Sequence, residues 1–297
     1  MILLTGVELG VRRASLDDRV RLRRPTRRER ELLETSGMLA RALAYHESEH
    51  LVCIMSLSQG INALVQDRPL MTLLTPLRLL KPGRVGSIGA LASTLTGQWE
   101  AVEWWANPEL IAPRLGDPPY NLLAADVRAL KRLWHLFGRI DRAKCPSFVQ
   151  ATMRFNRSYS YQPGDQAHRL TELIGALEAL YLSEMDELAY RLALRASYFL
   201  AAHPAARRDI FHVLKAAYGA RSKVVHGERP PKTARVRGLD VALESVTDAV
   251  DDIVRASLIR YMSVVQTVGE ARLKRTLLDD LILQGRHSRL SRALKGA

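Results

Sequence analysis

Two hydrophobic spacings divide this chain. In the first third, apolar residues come in short runs of strand length, at residues 51–58 and 71–80, and the glycines Gly83, Gly86, Gly89 and Gly97 punctuate the segment after them. These runs predict strands joined by tight turns. Residues 25–34 open instead like a helix, with Pro25 near the start and acidic residues soon after. From residue 122 onward the helical period takes over. It predicts helices at 122–140, 146–159, 168–182, 185–202, 205–227 and 239–268, with the apolar segment around Leu281 as one more. In the third of these, Leu170, Leu173, Ile174, Leu177 and Tyr181 fall at i, i+3, i+4, i+7 and i+11. In the sixth the apolar positions recur close to a heptad, as in a long bundle helix. His203-Pro204 separates the fourth helix from the fifth, and Gly227, followed by Glu-Arg-Pro-Pro, ends the fifth.

Between the two regimes, residues 107–120 carry four prolines and a glycine, and proline also moves the residue before it out of the α region. The expected organisation is α+β: a small strand-containing N-terminal domain, residues 1–115, followed by an all-α helical bundle, residues 116–297. The length of 297 residues suits two ordinary domains.

Composition adds a direction to this picture. With 47% apolar and 25% charged residues the chain is expected to fold. The net charge is +13, unevenly spread: residues 1–115 hold 15 Lys+Arg against 12 Asp+Glu, a balance of +3, and residues 116–297 hold 29 against 19, a balance of +10. A polyanionic partner is therefore expected to meet the helical part first, although a basic helical surface also serves solubility alone. Cys53 and Cys145, one in each expected domain, have no paired metal or redox spacing. A reducing cytoplasm fits them, and the absence of a signal-like or spanning apolar stretch predicts neither export nor a membrane span.

Three charges fall on apolar stripes of the bundle. On the fifth helix the stripe from Ile210 runs through Leu214 and Ala217 to Arg221; Glu178 lies one turn after Ile174 on the third; Arg195 shares the Leu188, Leu192, Phe199 stripe of the fourth. A charge on a core stripe needs a partner. The expected pairing is Glu178 with Arg195, which leaves Arg221 facing a groove. His226 follows Arg221 by five residues, about 140° round the helix, so the two converge only at a helix end or across a dimer axis. A histidine at a helix C-terminus also has a purely structural reading, in favour with the macrodipole.

The segment Arg221-Ser-Lys-Val-Val-His226-Gly227 resembles the R-x(4 to 6)-H motif of the HEPN superfamily (higher eukaryotes and prokaryotes nucleotide-binding domains), and within it the Apea-like HEPN family, whose motif region looks like Tyr-x-x-Arg-Ser-x-x-Val-His-Gly. Tyr218 stands in register, and the resemblance extends upstream through Ala176-Leu-Glu-Ala-Leu180, Leu192-Ala-Leu-Arg-Ala-Ser197 and Met153-Arg-Phe-Asn156, covering roughly residues 145–270. It implies a metal-independent, cofactor-free endoribonuclease that acts on RNA as a homodimer, with Arg221 and His226 of both copies lining one cleft. Ser222, in this reading, adds a hydroxyl to the phosphate site at a place where many superfamily members carry Asn, Asp or His, while Tyr218, Glu178 and Arg195 support it. Family membership further implies a role as a bacterial toxin or antiphage effector. The different-class alternative is a non-catalytic HEPN module that binds nucleotide or protein. The extension of the motif that accompanies silencing by adenylylation is absent, because Gly227 and Glu228 follow the histidine.

Other signals compete. His46-Glu-Ser-Glu-His50 matches H-E-x-x-H, which on a helix sets two zinc ligands one turn apart with Glu47 as base. Glu49 departs from the uncharged residues usual there, and no third ligand is evident, so a polar turn is the expectation. The glycines at 83, 86 and 89 lack the ending of a phosphate-binding loop and read as a turn. Trp99, Trp104 and Trp105 suit base stacking or, as a bland alternative, a core or domain interface.

Overall fold

The computed structural model describes residues 2–18, 20–37, 52–57, 69–93, 99–103, 117–183 and 187–284. They form two compact units, Met1–Phe137 and Gly138–Ala297. The fold is mixed α+β, with the strands of the main sheet confined to the first unit.

The first unit is built on a six-stranded sheet of order β3-β4-β5-β1-β6-β7, formed by β1 (Ile2–Thr5), β3 (Arg13–Ser15), β4 (Val20–Arg23), β5 (Val52–Leu57), β6 (Gly86–Ser93) and β7 (Trp99–Glu103). All its pairings are antiparallel. β1 is central, hydrogen-bonded on both edges, and all four of its residues are buried. In β4 Val20 and Leu22 are buried while Arg21 is exposed, the period-two alternation of a strand with one covered face. A second, parallel pair joins β2 (Val7–Leu9) to β8 (Tyr120–Leu122). Gly6, at φ +78°, makes the corner between β1 and β2; a Cβ there would sit 1.7 Å from the Arg84 carbonyl oxygen, so only glycine lets the two backbones meet.

Three helices of this unit lie among the described residues. α1 (Arg27–Thr35) begins with Thr26, whose hydroxyl accepts from the Glu29 amide while Glu29 reaches back to the Thr26 amide, a capping box. α2 (Pro69–Leu80) replaces the strand expected over 71–80. Its residues Leu74 to Leu79 are all buried, so no polar face imposes a helical period on the sequence. α3 (Ala124–Gly138) packs Leu130, Val127 and Trp134 on the core formed by Ile2, Leu4, Leu22, Leu77 and Tyr120. Trp134 Nε1 donates to Asp17 Oδ2 at 2.7 Å, and Lys81 pairs with Asp126. The division therefore falls after Phe137 and not at the proline-rich stretch: the apolar stripe of α3 is covered by sheet strands of the first unit.

The second unit is a helical bundle. It contains α4 (Pro146–Arg157), α5 (Gln166–Tyr181), α6 (Leu188–Leu200), α7 (Pro204–Val225), α8 (Leu243–Val268) and α9 (Leu278–Gln284), the last preceded by a helical turn Glu270–Arg272 and a π turn Leu273–Leu277. α5 is buried on almost every side, from Ala167 to Tyr181, and so forms the centre of the bundle. α8 is 26 residues long, about 39 Å. Residues 239–242 are not its first turn, as the heptad suggested, but the strand β10 (Leu239–Ala242), paired with β9 (Thr233–Val236). Arg237 and Gly238, at φ +52° and +85°, make the two-residue turn of this hairpin, the left-handed geometry such turns require. Among the described residues no helix is long and apolar enough to cross a membrane.

Candidate functional site

The site is built where α7 ends against α5. Pro204 starts α7, a position where a missing amide costs nothing. The helix runs 22 residues to Val225, with His226 as its cap. Gly227 then turns left-handed at φ +78°; its amide donates to the Val224 carbonyl at 3.1 Å and the Glu228 amide to the Lys223 carbonyl at 2.9 Å. This Schellman closure satisfies two end carbonyls and sets the direction in which the chain leaves. His226 is exposed at that cap.

Arg221 lies five residues earlier and points the other way, toward α5. Its Nη2 donates to Glu178 Oε2 at 3.3 Å, and its guanidinium lies 5.4 Å from the centroid of the Tyr218 ring, one turn back on α7. Arg221 and Glu178 are each about one-fifth exposed, 23% and 22%, so the pair lies at the lip of the bundle and not in its core. Arg221 Nε is buried and has no hydrogen-bond partner among the described residues. The Tyr218 phenol is pushed above its ordinary value, first by burial and then by the Glu178 carboxylate, which outweigh the opposing Arg221 charge. Ser222 is half-buried beside them.

The expected Glu178–Arg195 pair is not formed. Glu178 faces α7 and binds Arg221, while Arg195, 3% exposed, closes on Asp279 of α9, with Nη2 at 2.8 Å from Oδ1. Arg195 also donates to the carbonyl of Tyr181, the last residue of α5, at 2.7 Å. Arg195 thus reaches the C-terminal end of α5, where carbonyls lack helical partners, and Glu178 lies a turn too early to meet it. Arg195 is therefore part of the frame, and Arg221, which the expected pairing left without a partner, rests on the Glu178 carboxylate.

Reading stripes alone also missed a polar layer near the other end of α5. Arg169 binds Asp251 at 2.9 Å and Asp248 at 2.7 Å, and Arg255 binds Asp251 at 2.6 Å, with Arg169, Asp251 and Arg255 nearly inaccessible. Asp251 to Arg255 is an i,i+4 spacing, the one signal in the sequence that pointed there. At the opposite corner Glu270 accepts from the amides of Ser147 and Phe148 at 2.9 and 3.2 Å, an acid placed on the N-terminus of α4, and Lys274 Nζ reaches Ser147 Oγ and the Ala179 carbonyl. Burial lowers the Lys274 ammonium, with Glu270 working against it.

The His46–His50 segment, Trp104 and Trp105 lie outside the described residues, as does the Trp99 side chain. Residues 81–86 include the turn read from the glycines, with the Val85 amide donating to the Gly83 carbonyl at 3.0 Å before β6 begins.

No family model, curated protein or solved structure matches this chain.

Proposed function

We propose that the second unit is a metal-independent endoribonuclease of the HEPN type, working as a two-fold dimer that brings Arg221 and His226 of both copies round one RNA strand. The observation that carries this reading is the end of α7. A permanent cation, held by Glu178 and the Tyr218 ring, sits five residues before an exposed histidine at the helix cap. In the reaction the 2′-OH of a ribose attacks the adjacent phosphate; His226 takes the hydroxyl proton, the P–O5′ bond breaks, the leaving oxygen is protonated, and a 2′,3′-cyclic phosphate remains. Arg221 neutralises the charge that builds on the phosphate oxygens, with the Ser222 hydroxyl beside it.

The Arg221–Glu178 ion pair also favours a second reading, a non-catalytic module that uses Arg221 to join α7 to α5. One experiment separates them. Pure protein incubated with total RNA in EDTA is expected to leave cyclic-phosphate ends, and Arg221→Ala and His226→Ala are each expected to lose about 10²-fold or more in rate while the bundle stays folded. Undiminished cleavage by both variants would place the active site elsewhere. No cleavage of any RNA by the parent protein, with nucleotide or protein binding intact, would favour the module. Loss of cleavage in EDTA would turn attention to His46 and His50.

A further inference from the structure

A cluster of rings and a cation, Tyr190, Phe211, His212 and Lys215, lies upstream of the candidate site on the face of α7 that leads to it. Phe211, Lys215, Tyr218 and Ser222 fall at i, i+4, i+7 and i+11, one face of the helix. Phe211 meets Tyr190 of α6 edge-on with centroids 5.6 Å apart, and His212 edge-on at 5.7 Å; Lys215 Nζ stands 5.7 Å from the Phe211 centroid. This is a surface and not a core: Tyr190 is 49% exposed, Lys215 is exposed, and Phe211 and His212 are half-buried. α7 carries five cationic residues, Arg207, Arg208, Lys215, Arg221 and Lys223, against a single acid, Asp209, and that acid is taken by Arg237 of the β9–β10 hairpin.

Rings interleaved with cations, with no unpaired acid on the helix, match an unpaired nucleic-acid strand: flat faces for bases and positive charge for phosphates. From Phe211 to Arg221 is ten residues, about 15 Å along the axis, a few nucleotides' reach. We propose that Tyr190, Phe211 and Lys215 form a base-stacking subsite for single-stranded RNA, holding the strand a few nucleotides from the phosphate bound at Arg221. The placement relative to the cut rests on the ribonuclease reading; the subsite itself does not.

The test uses the full chain carrying His226→Ala, so that the probe survives. Fluorescence anisotropy follows an unstructured labelled oligoribonucleotide and a blunt duplex of the same length. Tyr190→Ala is expected to weaken the single strand about tenfold, the scale of one lost base stack, and to leave the duplex unchanged. Tyr190→Phe, which keeps the ring, should bind like the parent. Lys215→Ala should weaken binding and flatten its salt dependence by about one ion. Tyr190 is exposed, so its truncation is expected to leave the thermal melt in place. Parent-like binding by both Tyr190→Ala and Lys215→Ala would overturn the subsite, as would equal losses with Tyr190→Ala and Tyr190→Phe. A Tyr190→Ala protein that falls from dimer to monomer in sedimentation would make the cluster an interface between copies instead. A parent that cuts no RNA yet needs Tyr190 to bind it would remove the ribonuclease reading and keep the subsite. A parent that cuts RNA with Tyr190→Ala binding unchanged would do the reverse.

Discussion

Arg195 grips Asp279 with two nitrogens, Nε at 3.0 Å from Oδ1 and Nη2 at 3.0 Å from Oδ2, while Nη1 donates to the Tyr181 carbonyl. One guanidinium thereby ties the end of α5, the middle of α6 and the start of α9 together. Its fork geometry suits this, since a planar donor set serves two acceptors at fixed angles.

Asp279→Ala is expected to destabilise the bundle by about 2 kcal/mol, because it leaves a nearly inaccessible guanidinium with a single carbonyl partner. Arg195→Met, which removes the charge as well, should cost less. Urea unfolding followed by circular dichroism measures both. A Glu178→Ala variant that lost as much stability as Asp279→Ala would mean that Glu178 carries the frame after all.

Gly227→Ala is expected to cost about 1 kcal/mol, since the left-handed φ of +78° strains any residue with a Cβ while the space around it is open. Because that turn sets the cap at His226, RNA cleavage should fall by more than the stability loss accounts for. Equal melting temperatures with unchanged cleavage would show that the cap geometry does not matter to the site.

Tyr218→Phe should leave the alkaline side of the pH–rate profile in place. Burial and the neighbouring Glu178 carboxylate raise the phenol's pKa, so it stays protonated through the working range and supplies no titrating group there. A new or shifted alkaline limb in Tyr218→Phe would make the hydroxyl part of the proton traffic.

In the first unit Glu29 is held at about 2, chiefly by the hydrogen bond from Arg23, with Thr26 adding to it. A folded pKa below the unfolded one contributes stability that is present above the unfolded value of about 4.3 and lost as pH falls toward 2. The unit should therefore melt at lower temperature on acidification through that window, and Glu29→Gln should flatten the dependence. A melting temperature equally sensitive to acid in both proteins would point to other carboxylates.

Much of the bundle was legible because its helices are amphipathic and well punctuated. Pro204 and Gly227 bracket α7 in the sequence as in the structure, and the Leu170, Leu173, Ile174, Leu177 stripe of α5 is buried as its spacing predicts. α2 was not legible, since its residues 74–79 are buried in succession and show no polar face to reveal their period. The β9–β10 hairpin hid behind a heptad that Leu239 happens to extend; Arg237-Gly238 was its faint turn signal. The contacts at the candidate site were not legible in the sequence. Helix stripes place Glu178, Arg195 and Arg221 toward an interior, yet only the third dimension decides that Arg221 takes Glu178 and that Arg195 takes an aspartate 84 positions away.

The acid that covers the start of α4 comes from 123 positions downstream, in the Glu270 contact to the Ser147 amide, and Lys274 crosses back over 127 positions to the Ser147 hydroxyl. During synthesis the opening helix of the bundle therefore waits, uncapped, until almost all of the remaining unit has left the ribosome. The closure of that helix end is therefore a late step in the folding of the unit.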